Sequence, residues 1–109
     1  MKYLALSVLA VGALLASTTG SAANIGAGQA KAKEVCQTCH GMDGNSQNAD
    51  YPKLGGQHPD YLAKALRDYK SGLRKNPIMA GFAGSLSKED IENVAAYYAS
   101  QPAVLVTKH

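Results

Sequence analysis

Apolar residues recur at helical spacing in the second half of the chain. Tyr61, Leu62, Ala65, Leu66 and Tyr69 share one face of a 3.6-residue period and predict a helix from Pro59 to about Ser71. Proline suits its first turn, and Gly72 suits its stop. Ile91, Val94, Ala95 and Tyr98 repeat the pattern behind Ser87-Lys88-Glu89-Asp90, a capping-box-like start, with Leu86 placed to staple onto Ile91 and Pro102 to end the helix. Glu89, Asp90 and Glu92 suit the positive end of its dipole. Residues 27–38, rich in Ala and Lys with Gly28 near the start, read as a third helix. Two Gly- and Pro-rich stretches separate these elements: Gly41 to Gly56, and residues 73–86 with Pro77, Gly81 and Gly84. No alternating run argues for a strand. The pattern predicts an all-α domain of three main helices and two loops.

The N-terminus has a different pattern. Met1-Lys2-Tyr3 is short and positive, Leu4 to Leu15 is an apolar run of 12 residues broken only by Ser7, and Ala16 to Ala23 is small and uncharged. That is the layout of a secretory signal peptide, whose apolar region spans about 7–15 residues. It falls short of the roughly 18 needed to cross a bilayer. We therefore expect a signal peptide over residues 1–23, cleaved after Ala22 or Ala23, and one domain over 24–109 with no membrane span after cleavage. A domain this small usually leans on a disulfide, a metal or another staple.

Charge adds little. Lys plus Arg number 11 and Asp plus Glu 8, a net +3 that includes Lys2. No basic stripe of the kind that binds nucleic acid is present.

The chemistry lies in Cys36-Gln37-Thr38-Cys39-His40. This C-x-x-C-H string is the attachment signature of a c-type haem. Two thiols three positions apart add across the two vinyl groups of one porphyrin, and the following histidine is then held beneath the iron. The string occurs once, so one covalently attached haem c with its iron is expected per chain. A macrocycle inside the fold would also supply apolar area that so small a core lacks. Its two propionates would bring the exported protein close to neutrality.

An electron-transfer haem needs a second axial ligand. Met42 lies two residues beyond His40, and extended chain covers only about 7 Å in that distance, too little to pass around the ring. Met79, 39 residues downstream in the second loop, has the reach to close over the opposite face. His58 beside Pro59 is its rival, read as a surface or cap residue. His109 is the last residue and reads as frayed. Histidine with methionine raises the reduction potential relative to other ligand sets. A ligating histidine usually donates its other ring N–H to an oxygen, and the carbonyl of Pro52 in the first loop is the expected acceptor. Arg74, Lys75, Asn76 and Tyr61 are candidates to meet the propionates. Lys64, Arg67, Lys70 and Arg74 recur along one helix; Asp60 and Asp68 interrupt them, which favours a solvated face over a docking surface.

With these residues in place, the chain resembles the small bacterial class I cytochromes c, and is similar to one half of the dihaem periplasmic cytochromes. The resemblance runs through Lys31 to Gly44, Tyr51 to Gly72 and Asn76 to Ser100. It implies three main helices and loops wrapped around one haem, with the first and last helices crossing where Gly28 meets Tyr97 or Tyr98. It also implies that Cys36 and Cys39 attach the haem, that His40 and Met79 ligate it, and that Pro52 orients His40. The expected function is periplasmic single-electron transfer between redox proteins of a respiratory or related chain by transient docking, with no reaction of its own.

Two other functions use the same residues. Cys36 and Cys39 could form a thiol–disulfide oxidoreductase, which needs a depressed thiol pKa; the missing βαβ pattern argues against it. Cys36, Cys39, His40 and Met79 could bind copper or zinc, as ligand softness allows.

Overall fold

A computed structural model describes residues 22–104, so the expected signal peptide, apart from its last two residues, and His109 lie outside the described part. Five helices follow one another: α1 (Ile25–Val35), α2 (Gln37–His40), α3 (Pro59–Ser71), α4 (Pro77–Gly84) and α5 (Lys88–Ala99). No strand occurs among the described residues.

The outer helices make the frame. Asn24 caps α1 by accepting from Ala27 N–H, and its own N–H donates to Asn93 Oδ1 of α5 at 2.8 Å. The two helices pack so closely at Gly28 that a β-carbon there would lie 2.0 Å from Asn93 O and 2.9 Å from Tyr97 Cβ. Only glycine fits such an approach of backbone to backbone. Behind this contact Ala32, Ile91, Val94, Ala95, Tyr97 and Tyr98 form a close-packed core, joined by Leu62, Ala63 and Leu86.

Local chemistry explains the ends. Ser87 accepts from Asp90 N–H while the Asp90 carboxylate accepts from Ser87 N–H, so the capping box forms in full. α3 starts on Pro59 and stops at Gly72, whose φ of 86° is in the left-handed region. α5 ends at Ala99, three residues before Pro102. The α1 region differs from the expected 27–38 helix: it starts two residues earlier and breaks at Cys36, and one turn, α2, carries the rest of the motif.

The larger correction is α4. Residues 73–86 read as a loop, yet Pro77–Gly84 is helical. Asn76 adopts extended backbone and its side chain accepts from Ile78 N–H and Met79 N–H, while Pro77 occupies the first turn, where its missing N–H has no cost. Gly81 and Gly84 are tolerated near the end of so short a helix.

Candidate haem site

The motif turn follows directly from the end of α1. Cys36 N–H still bonds to Ala32 O at 2.8 Å, and His40 N–H bonds to Cys36 O at 3.1 Å. Three residues of spacing on one helical turn place both thiols on the same side. Gly41 then leaves at φ 79°, a turn few other residues make. Cys36 and Cys39 are both half-buried and unpaired.

His40 is 7% exposed, and its Nδ1 lies 2.9 Å from Pro52 O. A proline carbonyl can only accept, so Nδ1 carries the proton and Nε2 keeps its lone pair for a metal. The Tyr51 ring stands edge-on to the imidazole, with centroids 6.3 Å apart.

Two apolar hollows of about 330 and 220 Å³ flank this turn. Cys36, His40, Pro52, Leu66, Tyr69 and Met79 line both. The first opens past Ile78 and Phe82 of α4, and the second past Lys53, Gln57, Tyr61 and Arg74. All five residues of the apolar stripe expected on α3 line the second hollow, so that stripe faces a slot more than a packed core. The solid core takes Ala63 instead, together with Leu62.

Met79, on the first turn of α4, is held by its backbone: Asn76 Oδ1 accepts its N–H at 3.1 Å. The other sulfur and nitrogen donors are elsewhere. Met42 packs against the core and His58 sits exposed before α3; neither lines a hollow. Of the residues considered for the propionates, Arg74 and Tyr61 stand together at the second hollow, with the guanidinium 3.4 Å from the hydroxyl and stacked over Tyr69. Asn76 lines the first hollow with its oxygen spent on the α4 cap, and Lys75 lines neither.

The cations along α3 are bound internally. Lys64 pairs with Asp68, Arg67 with Glu92, and the Lys70 ammonium donates to Leu86 O. Three cations of the row are thus satisfied within the fold, and the fourth, Arg74, stands at the second hollow.

Burial pushes the Cys36 thiol up to about 11, against a smaller opposing effect of its bond to Tyr98. A catalytic dithiol needs the reverse shift. Among the described residues no three His, Cys, Asp or Glu side chains converge as a metal-binding group. A flat macrocycle fits better: two adjoining apolar hollows, a sulfur and a nitrogen donor on their shared wall, both thiols at hand, and an arginine and a lysine at one rim for acidic substituents.

Comparison with known proteins agrees. The family described as "Cytochrome C oxidase, cbb3-type, subunit III" matches residues 23–97. Cytochrome c-554(548) of Halomonas halodenitrificans is 43% identical over 82 residues, which cover 69% of this chain and 99% of that one. The chain belongs to the class I cytochromes c. It carries a covalently bound c-type haem with its iron, and its all-helical fold is that of the family.

Cytochrome c4 of Pseudomonas aeruginosa is 49% identical over 87 residues, covering 80% of this chain and 41% of that protein. The crystal structure of reduced cytochrome c4 from Pseudomonas stutzeri superimposes with a TM-score of 0.65 at 35% identity, over 72% of this chain and 48% of the other. The chain thus spans about half the length, or less, of the cytochromes c4 it matches and is similar to one half of a dihaem cytochrome. A Stutzerimonas stutzeri protein, 38% identical over 109 residues and half covered, is named a thiosulfate dehydrogenase electron acceptor.

Sequence reasoning missed three parts of this cytochrome's site. Tyr51 lies beside Pro52 and gave no signal of its own. Phe82 gave no signal because the 73–86 stretch reads as a loop, although Asn76-Pro77 is a cap followed by a first-turn proline. Leu86 was read only as a staple, and it also lines the first hollow.

Proposed function

We propose that this chain is an exported single-electron carrier of the periplasm, with residues 1–23 as its leader, residues 24–109 as its haem domain, and His40 and Met79 as the two axial ligands. One observation carries the reading: the nitrogen and sulfur donors His40 and Met79 both stand on the wall shared by the two hollows, while every other candidate among the described residues stands away from it. Cys36 and Cys39 bear the thioethers. The haem supplies a one-electron couple when bound. The chain's residues tune it: Pro52 O holds Nδ1–H and strengthens His40 as a donor, and the methionine raises the potential. Leu62, Leu66, Val94 and Ala95 keep water from the ring, and Arg74 with Tyr61 meets its carboxylates.

Six-coordinate iron has no place for a substrate, so the protein performs no reaction of its own. Its partners are redox proteins met by brief docking, as the name of the thiosulfate dehydrogenase acceptor suggests for a relative. With the α3 cations bound internally, the apolar rim at Ile78 and Phe82, 61% and 44% exposed, is the better docking face.

The test is a reduced-minus-oxidised spectrum of the exported protein and of Met79→Ala. The unmodified protein should cycle by one electron and resist carbon monoxide. Met79→Ala should bind carbon monoxide and cyanide readily and reduce at a lower potential. Easy ligand binding by the unmodified protein, or a variant that behaves like it, overturns the ligand assignment.

A further inference from the structure

Two carbonyls follow the haem-binding turn, those of Gly41 and Met42, and both are taken by α5. Tyr98 Oη donates to Gly41 O at 3.1 Å, and Tyr97 Oη donates to Met42 O at 2.6 Å. The two tyrosines are 5% and 1% exposed, their rings pack 5.2 Å apart, and the ring of Tyr98 lines the second hollow. We propose that Tyr97 and Tyr98 are positioning residues for His40, their hydroxyls fixing Gly41 and Met42 and thereby setting the plane of the imidazole against the iron. This rests on the reading of His40 and Met79 as ligands.

The bond from Nδ1 to Pro52 O fixes one ring atom and leaves the ring free to swing about that contact. The remaining freedom must be removed through the backbone of the turn. On its C-terminal side that backbone passes at once into Gly41, the residue least able to resist rotation. Gly41 has local bonds, its N–H to Gln37 O at 2.9 Å and its carbonyl from Gly44 N–H at 3.3 Å; Tyr98 ties that carbonyl to a distant helix, and Tyr97 does the same for Met42. The hydroxyls come from the helix that packs on α1, so the turn is gripped from both the helix that leads into it and the helix behind it. A purely structural role, in which the hydroxyls only satisfy buried carbonyls, would lower stability and leave the haem's electronic properties alone.

Tyr97→Phe and Tyr98→Phe in the holoprotein separate the two. Ser87→Ala serves as control, since it weakens α5 at its cap without touching the turn. Both Phe variants should keep haem colour on a denaturing gel. Each should change the ratio of reduced to oxidised protein at a fixed potential by about threefold, within the effect of one hydrogen bond. Each should also redistribute the haem methyl NMR shifts of the ferric state, which follow the ligand plane. Ser87→Ala should lower the melting temperature and leave both readouts in place. If the Phe variants melt early like the control and leave both readouts unmoved, the proposal is overturned. If Tyr98→Phe yields no holoprotein, Tyr97→Phe decides by the same criteria. Met79→Ala run in parallel keeps the two readings apart: an unchanged Met79→Ala spectrum sinks the ligand assignment, whereas a changed one beside inert Phe variants sinks only the tyrosine assignment.

Discussion

Around the slot, the turn that carries His40 is tied to two distant parts of the chain, whereas the segment that carries Met79 is tied mainly to itself and to α3. His40 meets Pro52 O, and the residues after it meet Tyr97 and Tyr98, across sequence separations of 12 to 57. Behind them α1 and α5 pack backbone against backbone at Gly28. α4 is eight residues long, is capped by its neighbour Asn76, and buries Ala83 while Ile78 and Phe82 stay exposed. The space around Gly81 and Gly84 is open. One side opens only when the whole fold opens; the other is a local unit that can loosen alone.

Substitutions at three places sharpen that contrast. Gly28→Ala should have the largest effect, about 3 kcal/mol of lost stability, because its methyl meets backbone atoms that cannot step aside. Denaturant titrations followed by helical circular dichroism and by the haem spectrum should shift together. A midpoint close to the unmodified protein's would show that the α1–α5 contact relaxes cheaply.

Asn76→Ala should cost about 1 kcal/mol, the usual value of an N-cap. Here the two signals should part, with the methionine-ligated spectrum lost at lower denaturant than the helical signal. Coincident transitions would mean that the Met79 side is no more independent than the His40 side.

The smallest effect is electrostatic and lies on α5. The Ser87 backbone N–H, helped by the Ser87 hydroxyl and Lys31, holds the Asp90 carboxyl below its ordinary range. A carboxyl depressed in the folded state contributes stability above its unfolded value of about 3.9 and loses it as pH falls through the folded value. The carboxylate is half-buried at the surface and screened by solvent, so the contribution is small. Melting temperatures between pH 5 and pH 2 should fall less steeply in Asp90→Asn than in the unmodified protein; equal slopes would remove the capping box from the account.

What could be read from the sequence was local. The α3 span with its flanking Pro59 and Gly72, the Ser87 to Asp90 box and the C-x-x-C-H string each depend on residues within a turn or two of one another. α4 was local as well, but its proline and glycines looked like loop residues and outweighed a single asparagine. The grip of Tyr97 and Tyr98 left no local pattern, because a hydroxyl on one helix and a carbonyl more than fifty residues earlier share no periodicity. The basic row shows the same limit: Arg67 finds Glu92 on another helix, and the sequence offers nothing to match them.

The grip of α5 on the turn also orders events in time. A chain delivered from its N-terminus presents residues 36–40 early and residues 88–99 late. Until α5 arrives, Gly41 has only the local bonds to Gln37 O and from Gly44 N–H, and α1 has no partner to cross. The haem-binding turn therefore stays loosely held for most of the chain's delivery, and the last of the described helices to emerge is the one that fixes it.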